Sequence, residues 1–128
     1  MEKTLEICGK QVRFKATAGL AYRYFNQFGT EYISDLAKLQ EFYETATLKE
    51  IEFDDDGVSR KVQTYSGDFD KFSDRFRYNV VWVLAKTADS SIPDPLTWYD
   101  SFDFFDITEV YNQLQDILSG NNKTVSKN

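Results

Sequence analysis

Val80-Val81-Trp82-Val83-Leu84-Ala85 is a run of six apolar residues, and its reading decides the fold. Phe69, Phe72 and Phe76 approach it at helical spacing and Ala88 follows, so the run is the middle of a long helix over Asp68–Ala88. A helix that is apolar on every side is buried on every side. The core is therefore expected around Phe76, Val80, Val83 and Leu84, with the other elements arranged about this helix.

Downstream, Ser90-Ser91-Ile92-Pro93-Asp94-Pro95 breaks the helix, and Asp94 with Pro95 opens a short one through Trp98 to Phe102. Asp106 is placed to cap a final helix, with Glu109 three residues on as its capping-box partner. Ile107, Val110, Tyr111, Leu114, Ile117 and Leu118 form its apolar stripe, and Gly120 is expected to end it. Residues 121–128 are polar apart from Val125 and read as a disordered tail, leaving 1–120 as one globular domain.

Upstream, Thr4–Cys8 and Gln11–Lys15 flank Gly9-Lys10, a two-residue loop with glycine first, as a type II′ turn has it. That register sets Ile7 opposite Val12 and Leu5 opposite Phe14 on one face, and Glu6 opposite Arg13 and Cys8 opposite Gln11 on the other. Thr17 is expected to cap a helix to Phe28 on the stripe Leu20, Tyr24 and Phe28, with Ala21 and Phe25 beside it. Gly29 occupies its C-terminal cap. Thr30 is expected to cap a second helix whose inward residues are Ile33, Leu36, Leu39 or Ala37, and Tyr43. Leu48–Phe53 and Val58–Tyr65 flank Asp56-Gly57. This pairing opposes Ile51 to Val62 and Glu52 to Lys61, so 48–65 is expected as a second hairpin, with a loop as the alternative. The fold class is mainly α (α+β): about five helices with an N-terminal hairpin.

Of 128 residues, 41% are hydrophobic and 28% charged, an ordinary globular balance for a chain able to bury its own core. Aromatics are abundant, with 11 Phe, 8 Tyr and 2 Trp. The net charge of −6 argues against a phosphate-binding surface and hence against nucleic acid. It is unevenly spread. Residues 1–30 carry Lys3, Lys10, Arg13, Lys15 and Arg23 against Glu2 and Glu6. Residues 87–122 carry Asp89, Asp94, Asp100, Asp103, Asp106, Glu109 and Asp116 with no base. Such polarity allows self-association, and equally describes a solvated acidic face.

With no histidine, imidazole acid–base chemistry and imidazole metal ligation are excluded. Cys8 is the single cysteine, so neither a disulfide framework nor a thiolate cluster is available within the chain, and it reads as a spectator thiol. Laid on the calcium-loop pattern through Gly57, Asp54-Asp55-Asp56-Gly57 would start at Glu52 and end at Gln63, which lacks the bidentate carboxylate. The turn reading is preferred. Asp100, Asp103 and Asp106 have no companion motif for acid–base catalysis. No Gly-rich phosphate loop is present, and no catalytic, metal or cofactor site is assigned. The start Met-Glu-Lys-Thr-Leu-Glu is not a signal segment, and the longest apolar run is too short to span a bilayer, so an intracellular protein without a membrane association is expected.

Trp98-Tyr99-Asp100-Ser101-Phe102-Asp103-Phe104-Phe105 holds five aromatics in eight residues, more than one short helix is expected to bury. Trp98, Tyr99, Phe102 and Phe105, with the adjoining Tyr111 and Leu114, are the candidate partner-binding residues. The alternative is that they clamp the last helices onto the core.

Phe14-Lys15-Ala16-Thr17, then Gln27-Phe28-Gly29 and Tyr32–Leu36, later Trp82–Asp89, Ile92-Pro93 and Trp98 followed by Phe102, form an ordered pattern over residues 11–119. In this order the chain resembles the tail assembly chaperones of long-tailed phages and prophages of Gram-positive bacteria. Residues 47–66 do not match that pattern and read as an insertion. The resemblance implies a non-enzymatic protein of the bacterial host cytoplasm, absent from the mature virion, that needs no cofactor. It would bind the hydrophobic, helical tape measure protein and keep it soluble until the tail tube assembles. It further implies a frameshift-extended form whose extension recruits the tail tube protein. A generic protein-interaction or adaptor domain, or a small-ligand enzyme using acidic residues, are the competing classes.

Overall fold

The computed structural model describes residues 1–45, 47–55, 58–66 and 74–122, with side chains described for 1–41 and 74–120. Among the described residues there are six helices and two antiparallel hairpins, a mainly helical α+β fold.

Strands β1 (Glu2–Ile7) and β2 (Lys10–Lys15) form the first hairpin. Its register is two residues away from expectation: Leu5 pairs with Val12, Lys3 with Phe14 and Ile7 with Lys10. The loop is Cys8-Gly9, not Gly9-Lys10. Both residues take left-handed φ, +50° and +76°, as a type I′ turn requires, and glycine stands second rather than first. A slip of two preserves the strand period, so Ile7, Val12 and Phe14 still face the core. The ladder also reaches further back, to Met1, whose ammonium donates to Ala16 O at 3.0 Å while Ala16 N–H donates to Met1 O at 2.9 Å.

Helix α1 (Leu20–Phe28) starts three residues after Thr17. Thr17 makes the turn before the helix instead of its cap: its hydroxyl accepts from Gly19 N–H at 3.2 Å and its carbonyl from Leu20 N–H at 3.1 Å. Gly29 closes the helix at φ +75°, its N–H donating to Phe25 O. Helix α2 (Tyr32–Thr45) turns Tyr32 and Leu39 inward, with Leu36 half-buried. Ile33, expected inside, is 62% exposed, and Ala37 is exposed too. The reason is Tyr32, whose ring fits between Tyr24 and Phe76 at 5.7 Å from each and so fixes the helix rotation. Thr30 does not cap α2; its hydroxyl donates to Asp35 Oδ2 at 2.7 Å. The side chain of Tyr43 lies outside the described residues.

Strands β3 (Thr47–Asp55) and β4 (Val58–Ser66) pair as a separate sheet, with Ile51 opposite Val62 and Glu52 opposite Lys61 as expected. Asp56 and Gly57, and the expected helix start at 68–73 with Phe69 and Phe72, lie outside the described residues.

Helix α3 (Arg75–Ala88) packs against β2, α1, α2 and α5. Every residue from Val80 to Ala85 is buried, so the apolar run is the centre of the molecule. Arg77 is buried beside them, its guanidinium donating to Asp74 Oδ1 at 2.5 Å and lying 5.7 Å from the Tyr111 ring centroid. Trp82 Nε1 donates to Pro93 O at 2.9 Å, tying the break after α3 back onto it.

Helix α4 (Pro95–Asp100) has the expected Asp94 cap, accepting from Thr97 N–H at 3.2 Å, but stops two residues before Phe102. The final helix comes in two pieces, α5 (Ile107–Gln113) and α6 (Gln115–Asn122), stepping at Leu114. Asp106 caps α5 by accepting from Glu109 N–H at 3.1 Å, while the Glu109 carboxylate accepts from Gln113 Nε2 rather than closing a capping box. All six residues of the expected stripe are buried. Gly120 does not end the helix, which continues to Asn122, so the first two residues of the expected tail are helical. A Cβ on Gly120 would stand 2.5 Å from Met1 Sδ: the glycine is where the Met1 side chain crosses α6.

Candidate partner-binding surfaces

Four of the six candidate residues, Trp98, Tyr99, Phe102 and Phe105, meet one another, while Tyr111 packs against Phe76 and Leu114 is buried in the core. Trp98, Tyr111 and Leu114 are buried, and Tyr99, Phe102 and Phe105 are half-buried against the same core. Trp98 makes edge contacts with Tyr99, Phe102 and Phe105 at 4.8, 5.3 and 5.7 Å, and Tyr99 and Phe102 each meet Phe105 at 5.0 and 5.2 Å. Rings arranged edge to face bury one another. Four of the five aromatics therefore pack on one another against the main core, as the clamp alternative has it, while Phe104 stays 69% exposed. Tyr99 also donates its hydroxyl to Tyr78 O at 2.5 Å, and burial pushes that hydroxyl far above its ordinary pKa.

Three of the five N-terminal bases, Lys3, Lys10 and Arg13, reach into the acidic half. Lys3 Nζ donates to Asp116 Oδ2 at 3.0 Å and to Gln113 O at 2.7 Å. Lys10 reaches Ser101 O at 3.1 Å and lies over the Phe102 ring, and Arg13 donates to Ala88 O at 3.1 Å. Part of the charge polarity considered for self-association thus joins the two ends of one chain.

The apolar groups that do meet solvent lie elsewhere. On α1, Tyr22 is 75% and Phe25 46% exposed, three residues apart and so on one face. Ile33, Leu96 and Phe104 are also largely exposed. The helical repeat placed Tyr22 off the inward stripe; Phe25 was expected beside it.

Between α1, α2 and α3 lies a cavity of about 490 Å³. Phe28, Leu39 and Phe76 give it apolar walls, and Asp35 gives it a carboxylate that accepts from Tyr24 and Thr30 hydroxyls at 2.8 and 2.7 Å. Both donors share Oδ2, while Lys38 stands 4.0 Å from Oδ1. Asp35 thus joins the α1–α2 corner, a role its sequence position did not suggest. Asp100, Asp103 and Asp106 are exposed, with Asp106 occupied as a cap. Cys8 is exposed at the hairpin turn, its thiol 2.8 Å from Phe104 O. Among the described residues no group of three His, Cys, Asp or Glu could hold a metal ion, and no helix is long and apolar enough to cross a membrane. Comparisons with protein-family models, with curated proteins and with solved structures found no match to this chain.

Proposed function

We propose that this protein is a phage tail assembly chaperone, which binds the hydrophobic helical tape measure protein in the bacterial host cytoplasm and stays out of the mature virion. It works by binding, without catalysis or cofactor. A frameshift-extended form of the chain carries the contact to the tail tube protein.

The observation that supports this reading is the pair Tyr22 and Phe25. Two aromatic rings on one outward face of α1, Tyr22 three-quarters and Phe25 nearly half exposed, offer a helical client an apolar anchor line. The net charge of −6 keeps such a surface dispersed. This moves the proposed contact from the Trp98–Leu114 group, which is packed inward, to α1.

The test is co-expression with tape measure fragments that aggregate when produced alone. The wild-type chain is expected to keep them soluble, and Tyr22→Ser with Phe25→Ser to lose that effect while melting normally. Failure of the wild type on every fragment would reject the chaperone reading.

A further inference from the structure

The backbone of β1 leaves one edge of the first hairpin open. Met1 and Ala16 exchange both of their backbone hydrogen bonds, so the alternation of an antiparallel ladder makes Lys3, Leu5 and Ile7 the other residues bonded to β2. The N–H and C=O groups of Glu2, Thr4 and Glu6 therefore point away from β2. Among the described residues β1 pairs with no other strand, those six groups meet no partner, and all three residues are exposed.

Beside this edge runs a groove of about 180 Å³ between β1 and α5. Leu5, Ile7, Phe104 and Val110 give it apolar walls. Its remaining lining is Glu6, Cys8, Asp106, Glu109 and Gln113, of which three are acidic. Lys3 does not neutralise it, being held by Asp116 and Gln113 O; on the outer face Lys15 stands opposite Glu2 and Arg13 opposite Thr4, which leaves Glu6, opposite Gln11, as the acid without a base across the strand.

Charge decides what fits. A second β1 laid antiparallel about Thr4 would set Glu2 against Glu6 twice, and a parallel one would set each acid beside its own copy; both are repulsive. We propose that the open edge of β1 binds an extended segment of a partner protein in which Lys or Arg alternates with apolar residues, added as a third strand. Its bases lie beside Glu2 and Glu6 on the outer face, and its apolar side chains enter the groove. Backbone bonding to Glu2, Thr4 and Glu6 supplies affinity, and the alternation supplies selectivity. This site is separate from the α1 face and stands whether or not that face holds a helical client.

The experiment titrates the full-length ¹⁵N-labelled chain with end-blocked Lys-Val-Lys-Val-Lys, using Glu-Val-Glu-Val-Glu as control. The basic peptide is expected to bind saturably and more weakly as salt rises. Exchange of the Glu2, Thr4 and Glu6 amides should slow by about tenfold or more, with Lys3, Leu5 and Ile7 unchanged. Thr4→Pro removes one outward donor without touching the bonds to β2 and should weaken binding. Glu2→Lys with Glu6→Lys, both exposed, should abolish binding of the basic peptide and admit the acidic one. Equal binding of the two peptides by wild type, or binding that leaves the Glu2, Thr4 and Glu6 amides unchanged, overturns the proposal. So does a peptide-free dimer in which those amides are already protected, because a second copy then holds the edge.

Discussion

Lys3 and Asp116, 113 residues apart in sequence, are joined at 3.0 Å, fastening β1 to α6. The lysine hydrogen bond, helped by the Ile117 N–H, holds the Asp116 carboxyl below the usual carboxylate range. A depressed carboxylate contributes stability that is present above its unfolded pKa and lost as pH falls through the folded one. In Lys3→Ala the Asp116 titration, followed by carboxyl NMR shifts, should move up toward the ordinary value, and that acid-side contribution should shrink. An unmoved midpoint would mean that the pair does not persist in solution.

Tyr24 governs the alkaline side. Burial first, and then its hydrogen bond to the Asp35 carboxylate, push its hydroxyl up to about 12. Because the folded value lies above the unfolded one of about 10, this contribution is complete below pH 10 and fades as pH rises toward 12. Tyr24→Phe should cost about 1 kcal/mol at neutral pH and flatten the fall in stability between those values. Chemical denaturation at a series of pH values checks both.

Val83 has 1% of its surface exposed, in the middle of α3. Val83→Asp buries a charge with no countercharge, a cost of several kcal/mol in a domain whose whole stability is of that order. Loss of the cooperative melt is expected; a wild-type melting temperature would contradict the central place of α3.

At the hairpin turn, Cys8 holds a left-handed φ that side chains with a Cβ rarely adopt. Asparagine tolerates it best, and Asn-Gly is the favoured type I′ pair. Cys8→Asn should therefore stabilise by ~0.5 kcal/mol or more, against the loss of a weak thiol contact to Phe104 O. A lower melting temperature would show that the thiol contact outweighs the backbone gain.

The substitutions at Tyr22 and Phe25 separate binding from folding. Exposed changes of this kind usually shift stability by less than about 0.5 kcal/mol, whereas an aromatic anchor in an interface carries about 2 kcal/mol. Rescue of tape measure fragments should fall with the melt unchanged. Undiminished rescue would remove this face from the interface.

What was legible in the sequence was whatever one period decides. The all-round apolar run at Val80–Ala85 reads directly as a buried helix, and the Asp94, Asp106 and Gly29 caps follow from local chemistry. The hairpin faces survived a register slip because a shift of two preserves alternation. Some failures were local, as at the Cys8-Gly9 turn and the Thr17 and Thr30 caps, and others depend on partners distant in the chain. Tyr32 displaced Ile33 through rings on α1 and α3, and Gly120 answers to Met1 rather than to helix termination. Of the five aromatics in Trp98–Phe105 four cover one another, which no residue count reveals, and only Phe104 stays largely exposed.

The crossing of Met1 over Gly120 brings the start of the chain and the last turn of α6 to one place. The described residues then nearly form a ring, and a short linker from Asn122 to Met1, in place of residues 123–128, sacrifices little chain entropy. The order in which the elements are synthesised is thus separable from the order in which they pack. A circular permutant opened at Ser90–Ser91, an exposed turn, retains every element whole while making α4 the first to emerge.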